Sequence, residues 1–162
     1  MNVAEVSGES ADHQRPTIAF GVEIPFVQLL GFELLRFDSG HAEVGFAPAA
    51  EHLNSFAVTH GGALMTLLDV CMASAARSVI PELGVVTVEM KTSFMRPAAV
   101  EPGQALLARA EILHRTATLA FTQGSVLDAK GRICAHATAT FKYVRRLATS
   151  ARGVHALQVS TD

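Results

Sequence analysis

From Leu64 to Val79 the apolar residues of this chain fall three and four positions apart: Leu64, Leu67, Leu68, Cys71, Met72, Ala75 and Val79. That spacing is one buried face of an α-helix. Pro81 forbids its continuation and places the end near Ser78. Beyond it the period changes from helical to alternating. Val86, Val88, Met90 and Phe94 alternate with Thr87, Glu89, Lys91 and Ser93, which predicts a half-buried strand. Pro97, Pro102 and Gly103 mark a loop, and Leu106–His114 and Ala117–Leu127 read as two further strands. Asp128-Ala129-Lys130-Gly131 is a hairpin turn. The last strand places Ile133, Ala135, Ala137, Ala139, Phe141 and Tyr143 on one face. Arg132, His136, Thr138, Thr140 and Lys142 take the other.

Ahead of the long helix, Pro25 to Leu30 predict a short helix with Pro near its start and Gly31 as its stop. Phe32–Phe37 and His41–Phe46 flank Asp38-Ser39-Gly40, a hairpin signature. Pro48–Thr59 is the loop that leads into the long helix. Strands that follow one another without intervening helices argue for an antiparallel sheet and the α+β class. A single long helix with an apolar face packs most simply across such a sheet. Residues 1–17 are polar and aperiodic, the pattern of a disordered arm. The folded domain is expected over 18–144, with a loose tail at 145–162. There are no internal repeats.

Composition narrows the function classes. A chain of 162 residues fits one domain with a proper core. A hydrophobic content of 49% exceeds what a lone small domain needs and leans towards a buried subunit interface. A formal charge of −2, spread along the chain, offers no footprint for nucleic acid and no membrane-surface patch. No apolar run approaches transmembrane length. The N-terminal stretch carries Glu5, Glu9 and Asp12 and is no signal peptide, so a cytoplasmic protein is expected. Cys71 and Cys134 sit in apolar patterns and read as buried free thiols. The histidines show no metal-ligand spacing, and no metal is expected.

One charge breaks the helical pattern. Asp69 is the only ionisable side chain between His60 and Arg77 apart from the Cys71 thiol. Counted at 100° per residue from Leu64, it lies about 140° from that reference direction, beside Ala73 and Ala76. It reads either as a solvent-facing residue or as a nucleophile or general base. Gly61 and Gly62 open the same helix. A helix start offers N–H groups without internal partners and favours negative charge, and glycine lets a ligand approach the backbone. The turn can polarise a carbonyl as an oxyanion hole does, or it is a plain junction. Eight residues of helix span about 12 Å, too far for both ends to act on one reacting group. Either the pairing is accidental, or Asp69 works with the Gly61 turn of a second subunit.

Asn54, His60-Gly61-Gly62 and Asp69, with Thr87-Val88-Glu89-Met90 and Phe94-Met95-Arg96-Pro97, resemble the hotdog-fold acyl-CoA thioesterases of the PaaI (phenylacetyl-CoA) type. The resemblance extends over residues 25–144, and Ala57 stands where many relatives carry Gly. It implies an antiparallel sheet wrapped around one central helix. It also implies hydrolysis of an acyl-CoA thioester by a homodimer or dimer of dimers, with no cofactor beyond the coenzyme A of the substrate. Asp69 becomes the nucleophile or base and the Gly61 N–H the carbonyl donor. Asn54 becomes a partner of the attacking water or acyl carbonyl, and Thr87 a hydroxyl near the reacting centre.

His60 is assigned to loop organisation rather than base chemistry. Gly62 belongs to the substrate-binding turn. Arg96 suits a CoA phosphate, because a guanidinium matches phosphate geometry, and Arg115 and Thr116 are weaker candidates for the same role; each of the three reads equally as a solvated surface group. The rival readings are a hotdog hydratase or dehydratase and a non-catalytic acyl-CoA sensor on the same fold.

Overall fold

The computed structural model describes residues 17–99 and 103–145. The arm and tail expected at the two ends lie, but for residues 17 and 145, outside the described residues. Helix α1 spans Pro25–Leu30 and stops at Gly31, whose φ of 69° is the left-handed cap glycine accepts without strain. Strands β1 (Phe32–Asp38) and β2 (His41–Phe46) form a hairpin through Ser39 and Gly40, with φ of 45° and 82°. Two successive positive φ values are the tight turn that matches strand twist. Helix α2 runs Gly61–Arg77 and is followed by β3 (Leu83–Phe94), β4 (Leu106–Arg115), β5 (Leu119–Leu127) and β6 (Ile133–Arg145).

All six strands join one antiparallel sheet in the order β1-β2-β4-β5-β6-β3, leaving β1 and β3 at its edges. Leu64, Leu67, Leu68, Cys71, Met72 and Ala75 of α2 are buried against the sheet face that carries Val44, Phe46, Ala108, Val126 and Phe141. The Tyr143 hydroxyl donates to the Ala76 carbonyl at 2.9 Å and ties β6 to the helix. Both cysteines are buried and free. Burial pushes the Cys71 thiol far above its ordinary range. Among the described residues no helix is long and apolar enough to cross a membrane.

Three expectations about faces need correction. Val79 is partly exposed because α2 ends before it, at Arg77. Ile133 is exposed at the end of β6, while Ala135 to Tyr143 of its row are buried as expected. The third concerns β3. Its pairing with β6 slips between Thr87 and Glu89: Thr87 faces Phe141, yet Glu89 faces the next residue, Thr140. Val88 is the extra residue of a β-bulge. Thr87, Met90, Thr92 and Phe94 therefore share the helix side with Phe141, Ala139, Ala137 and Ala135. Val86, expected among the apolar face, pairs with the exposed Lys142 on the other side, and Val88 is 59% exposed. The smooth alternation in sequence hides this change of parity.

Candidate active site

The start of α2 is built around His60. Its backbone is extended, and its ring Nδ1 accepts from the Gly62 N–H at 2.9 Å. That role requires a neutral ring with its proton on Nε2. A Cβ on Gly62 would stand 3.1 Å from the same nitrogen, so a larger residue there would push the His60 ring by a few tenths of an ångström. The His60 carbonyl accepts from Ala63 and Leu64 at 3.0 and 3.2 Å. Of the four amides that a helix start leaves open, Gly61's alone has no acceptor among the described residues.

The loop ahead of it is folded on Asn54. Its Oδ1 accepts from the N–H groups of Phe56 (2.9 Å) and Val58 (3.3 Å), and its own N–H donates to the Val58 carbonyl at 2.8 Å. This turn forces Ala57 to a φ of 55°. Thr59 then clamps the loop to the segment after β3. Its N–H and its hydroxyl both donate to the Ala98 carbonyl, at 3.1 and 2.7 Å. That segment is in turn strapped to β6. The Met95 and Arg96 N–H groups share the Cys134 carbonyl, and Arg96 Nη1 donates to the Ile133 carbonyl at 2.9 Å. Between loop, helix start and strap lies an open cleft of about 340 Å³ lined by Asn54, Val58, Gly61, Leu64, Phe94 and Arg96.

Asp69 stands two turns further along α2, outside the cleft lining. Its Oδ1 accepts from the Thr87 hydroxyl at 2.7 Å. The bulge at Val88 is what keeps Thr87 on the helix side. Burial pushes the Asp69 carboxyl above its ordinary range, and the Thr87 hydrogen bond offsets part of that rise. A half-buried carboxylate whose recorded support is one hydroxyl donor is electrostatically costly.

The structure thus groups Asn54, Gly61 and Arg96 around one cleft, with His60 and Gly62 in the adjoining helix start but outside the lining, and joins Asp69 to Thr87 as a second unit, about 12 Å of helix away. It does not bring Arg115 and Thr116 to either. They form the β4–β5 turn, where the Thr116 hydroxyl accepts from the Thr118 and Leu119 N–H groups at 3.3 and 3.0 Å. Following β6 from Cys134 to Phe141, that end of the sheet is about 23 Å from the Arg96 strap. Sequence reasoning missed Thr59, whose clamp carries no local signature. It placed Phe94 on the apolar face of a half-buried strand and in the motif of the family resemblance, and gave it no role of its own. Among the described residues no three His, Cys, Asp or Glu side chains gather as a metal-holding group.

A six-stranded antiparallel sheet wrapped around one long helix is the hotdog architecture. The model of the thioesterase superfamily matches residues 56–135. A Pseudomonas aeruginosa structure, conserved protein PA5202, is similar at 27% identity with a TM-score of 0.71, covering 76% of this chain and 97% of its own. The phenylacetic acid degradation protein PaaI of Thermus thermophilus is similar at 28% identity and a TM-score of 0.66, covering 74% and 98%. A Caenorhabditis elegans protein named "Putative esterase F42H10.6" is 38% identical over 72 residues, 44% of this chain. The match spans only 41% of that relative's length. By sequence and by fold alike, the chain is similar to the hotdog-fold thioesterases of the PaaI-like kind.

Proposed function

We propose that the protein is a cytoplasmic acyl-CoA thioesterase working as a homodimer, or as a dimer of dimers, with no cofactor beyond the coenzyme A of its substrate. The observation that carries this reading is the pairing, on one helix, of a free Gly61 N–H with a desolvated Asp69 too distant to serve the same carbonyl. In a twofold dimer with antiparallel helices, each Gly61 can meet the Asp69 of the partner subunit. The open edge of β3, with Val88 exposed, supports such a contact. The Gly61 N–H, at the positive end of the helix dipole, would take the developing oxyanion. Asp69 would attack the thioester carbon, expelling the CoA thiolate and leaving a mixed anhydride that water hydrolyses, or would draw a proton from a water that attacks the carbon and expels the thiolate directly. A carboxyl raised above its ordinary range is the better base of its kind.

Thr87 orients that carboxylate through its hydroxyl. The Asn54 amide NH2 group has no acceptor among the described residues and is available to water or acyl oxygen. His60 organises the turn. Arg96 is both strap and candidate for the nucleotide phosphates, with Arg115 and Thr116 reaching a substrate only if a neighbouring subunit presents them.

The test is release of free CoA thiol from a panel of acyl-CoAs, wild type beside Asp69→Asn. Asparagine keeps the Oδ1 that accepts from Thr87, so fold and dimer should persist while most turnover disappears. Unchanged turnover in the variant would sink the mechanism. Tight acyl-CoA binding without thiol release from any substrate would favour a sensor, whose carboxylate would then have no task to justify its burial.

A further inference from the structure

The cleft beside Gly61 has an uneven wall. Asn54 and Arg96 turn hydrogen-bonding groups back onto the chain, at Phe56, Val58 and Ile133. Val58, Leu64, Phe94 and Met95 supply its apolar surface. Phe94 stands apart from the others. It is 52% exposed, so the core does not require it. Yet its ring meets Gly61 end-on, with Cζ at 3.4 Å and Cε1 at 3.5 Å from where a Cβ would be. Such distances are ordinary van der Waals contact, and they put a six-membered ring directly beside the residue whose N–H is free. An oxygen accepting from that N–H lies about 2.9 Å from the nitrogen. The carbon bearing that oxygen is then one bond further on, which brings its substituents within reach of a ring that lines the same cleft.

We propose that Phe94 sets which acyl groups the site admits, its ring forming the wall that limits bulk next to the reacting carbon. Unbranched acyl groups pass the ring; groups branched beside the carbonyl collide with it. The proposal rests on the thioesterase reading only for the identity of the carbonyl. Parity makes the assignment specific. Phe94 faces the cleft because the Val88 bulge restores it to the helix side, and Ser93 and Lys91 face away.

The experiment is calorimetric titration of the full-length protein with non-hydrolysable thioether analogues of acetyl-CoA and pivaloyl-CoA, for wild type, Phe94→Leu and Phe94→Ala. A small volume change in an apolar pocket is worth about 10- to 200-fold in discrimination. The ratio of pivaloyl to acetyl affinity should therefore rise about tenfold or more in Phe94→Ala and by less in Phe94→Leu. A ratio that stays constant across the three proteins overturns the proposal, as does failure of wild type to bind either analogue. Thiol release is measured in parallel from acetyl-CoA and pivaloyl-CoA. No release from either, with a shifted binding ratio, strikes down the thioesterase reading and leaves the role of Phe94 standing. Release from acetyl-CoA with an unshifted ratio strikes down Phe94 alone. Because the ring is half exposed, its loss opens no core cavity, and Phe94→Leu guards against a folding defect in the smaller variant.

Discussion

Asp69 is held at a cost to the fold. Burial raises its carboxyl above the 3.8 of an unperturbed aspartate, and the Thr87 hydrogen bond recovers only part. The folded protein therefore keeps this proton to higher pH than the unfolded chain does. Stability from this group is present below the unfolded value and is lost as pH rises through the folded one. Once ionised, Asp69 destabilises the native state. Asp69→Asn is expected to melt above wild type at pH 7, with the difference shrinking towards pH 4. A variant that melts lower at neutral pH would show the carboxylate to be a structural asset instead. Such a stability gain with loss of turnover is the usual trade at an active site. Ala57 carries a second local strain. Its φ of 55° costs an L-residue about 1 kcal/mol relative to glycine, and glycine's greater unfolded entropy returns part of that. Ala57→Gly should raise the urea midpoint slightly without changing the slope; a lower midpoint would mean that the Asn54 turn relaxes at no cost.

Among the elements, β3 decides what the site contains. Pairing across the bulge sets Thr87 against Phe141 and Glu89 against Thr140, so the ladder already counts as if Val88 were absent. Deleting Val88 should leave a regular strand and a folded protein by circular dichroism. Deleting Lys91, four residues past Thr87 in the regular part, would turn Thr92 and Phe94 to the outer face and should abolish the cooperative melt. Equal damage from both deletions would argue that the bulge is needed for folding rather than for aim. This is also where the sequence stopped being legible. The long spacing of Leu64 to Ala75 named α2, and Gly31 and Ser39-Gly40 named their turns through backbone demands that few residues meet. Asp69 stood out because a charge interrupts an apolar helical pattern, while Asn54 and Gly61 were singled out through the family resemblance. A bulge adds a residue without any chemical mark, so Val86 to Phe94 alternates smoothly while the true faces change. Thr59 was equally silent, since its partner is a backbone carbonyl 39 residues away.

At the scale of the whole molecule, the proposed mechanism gives one protomer two half-sites at separate heights on α2. Neither half contains both a donor for an oxyanion and a base. If the active site forms across a twofold interface, each dimer has two sites, and each draws Asn54 and Gly61 from one subunit and Asp69 from the other. Two inactive variants should then complement. Asp69→Asn lacks the base, and Asn54→Ala disrupts the cleft side. Unfolded together and refolded at equal amounts, half the dimers are mixed, and in each of those one site carries both defects while the other carries none. Activity should recover to about a quarter of wild type. Each variant refolded alone supplies the baseline, and size-exclusion chromatography checks that all preparations dimerise. If both residues instead serve a carbonyl within one subunit, every site keeps a defect, and the mixture stays at the average of the two variants. Recovery thus separates a shared site from a private one using only the chain's own residues. Val88→Lys tests the same interface from outside the site. A charge on the open edge of β3 should shift the protein to monomer and remove turnover together, although Asp69 and Gly61 are intact. A monomer that retains full turnover would refute the shared site outright.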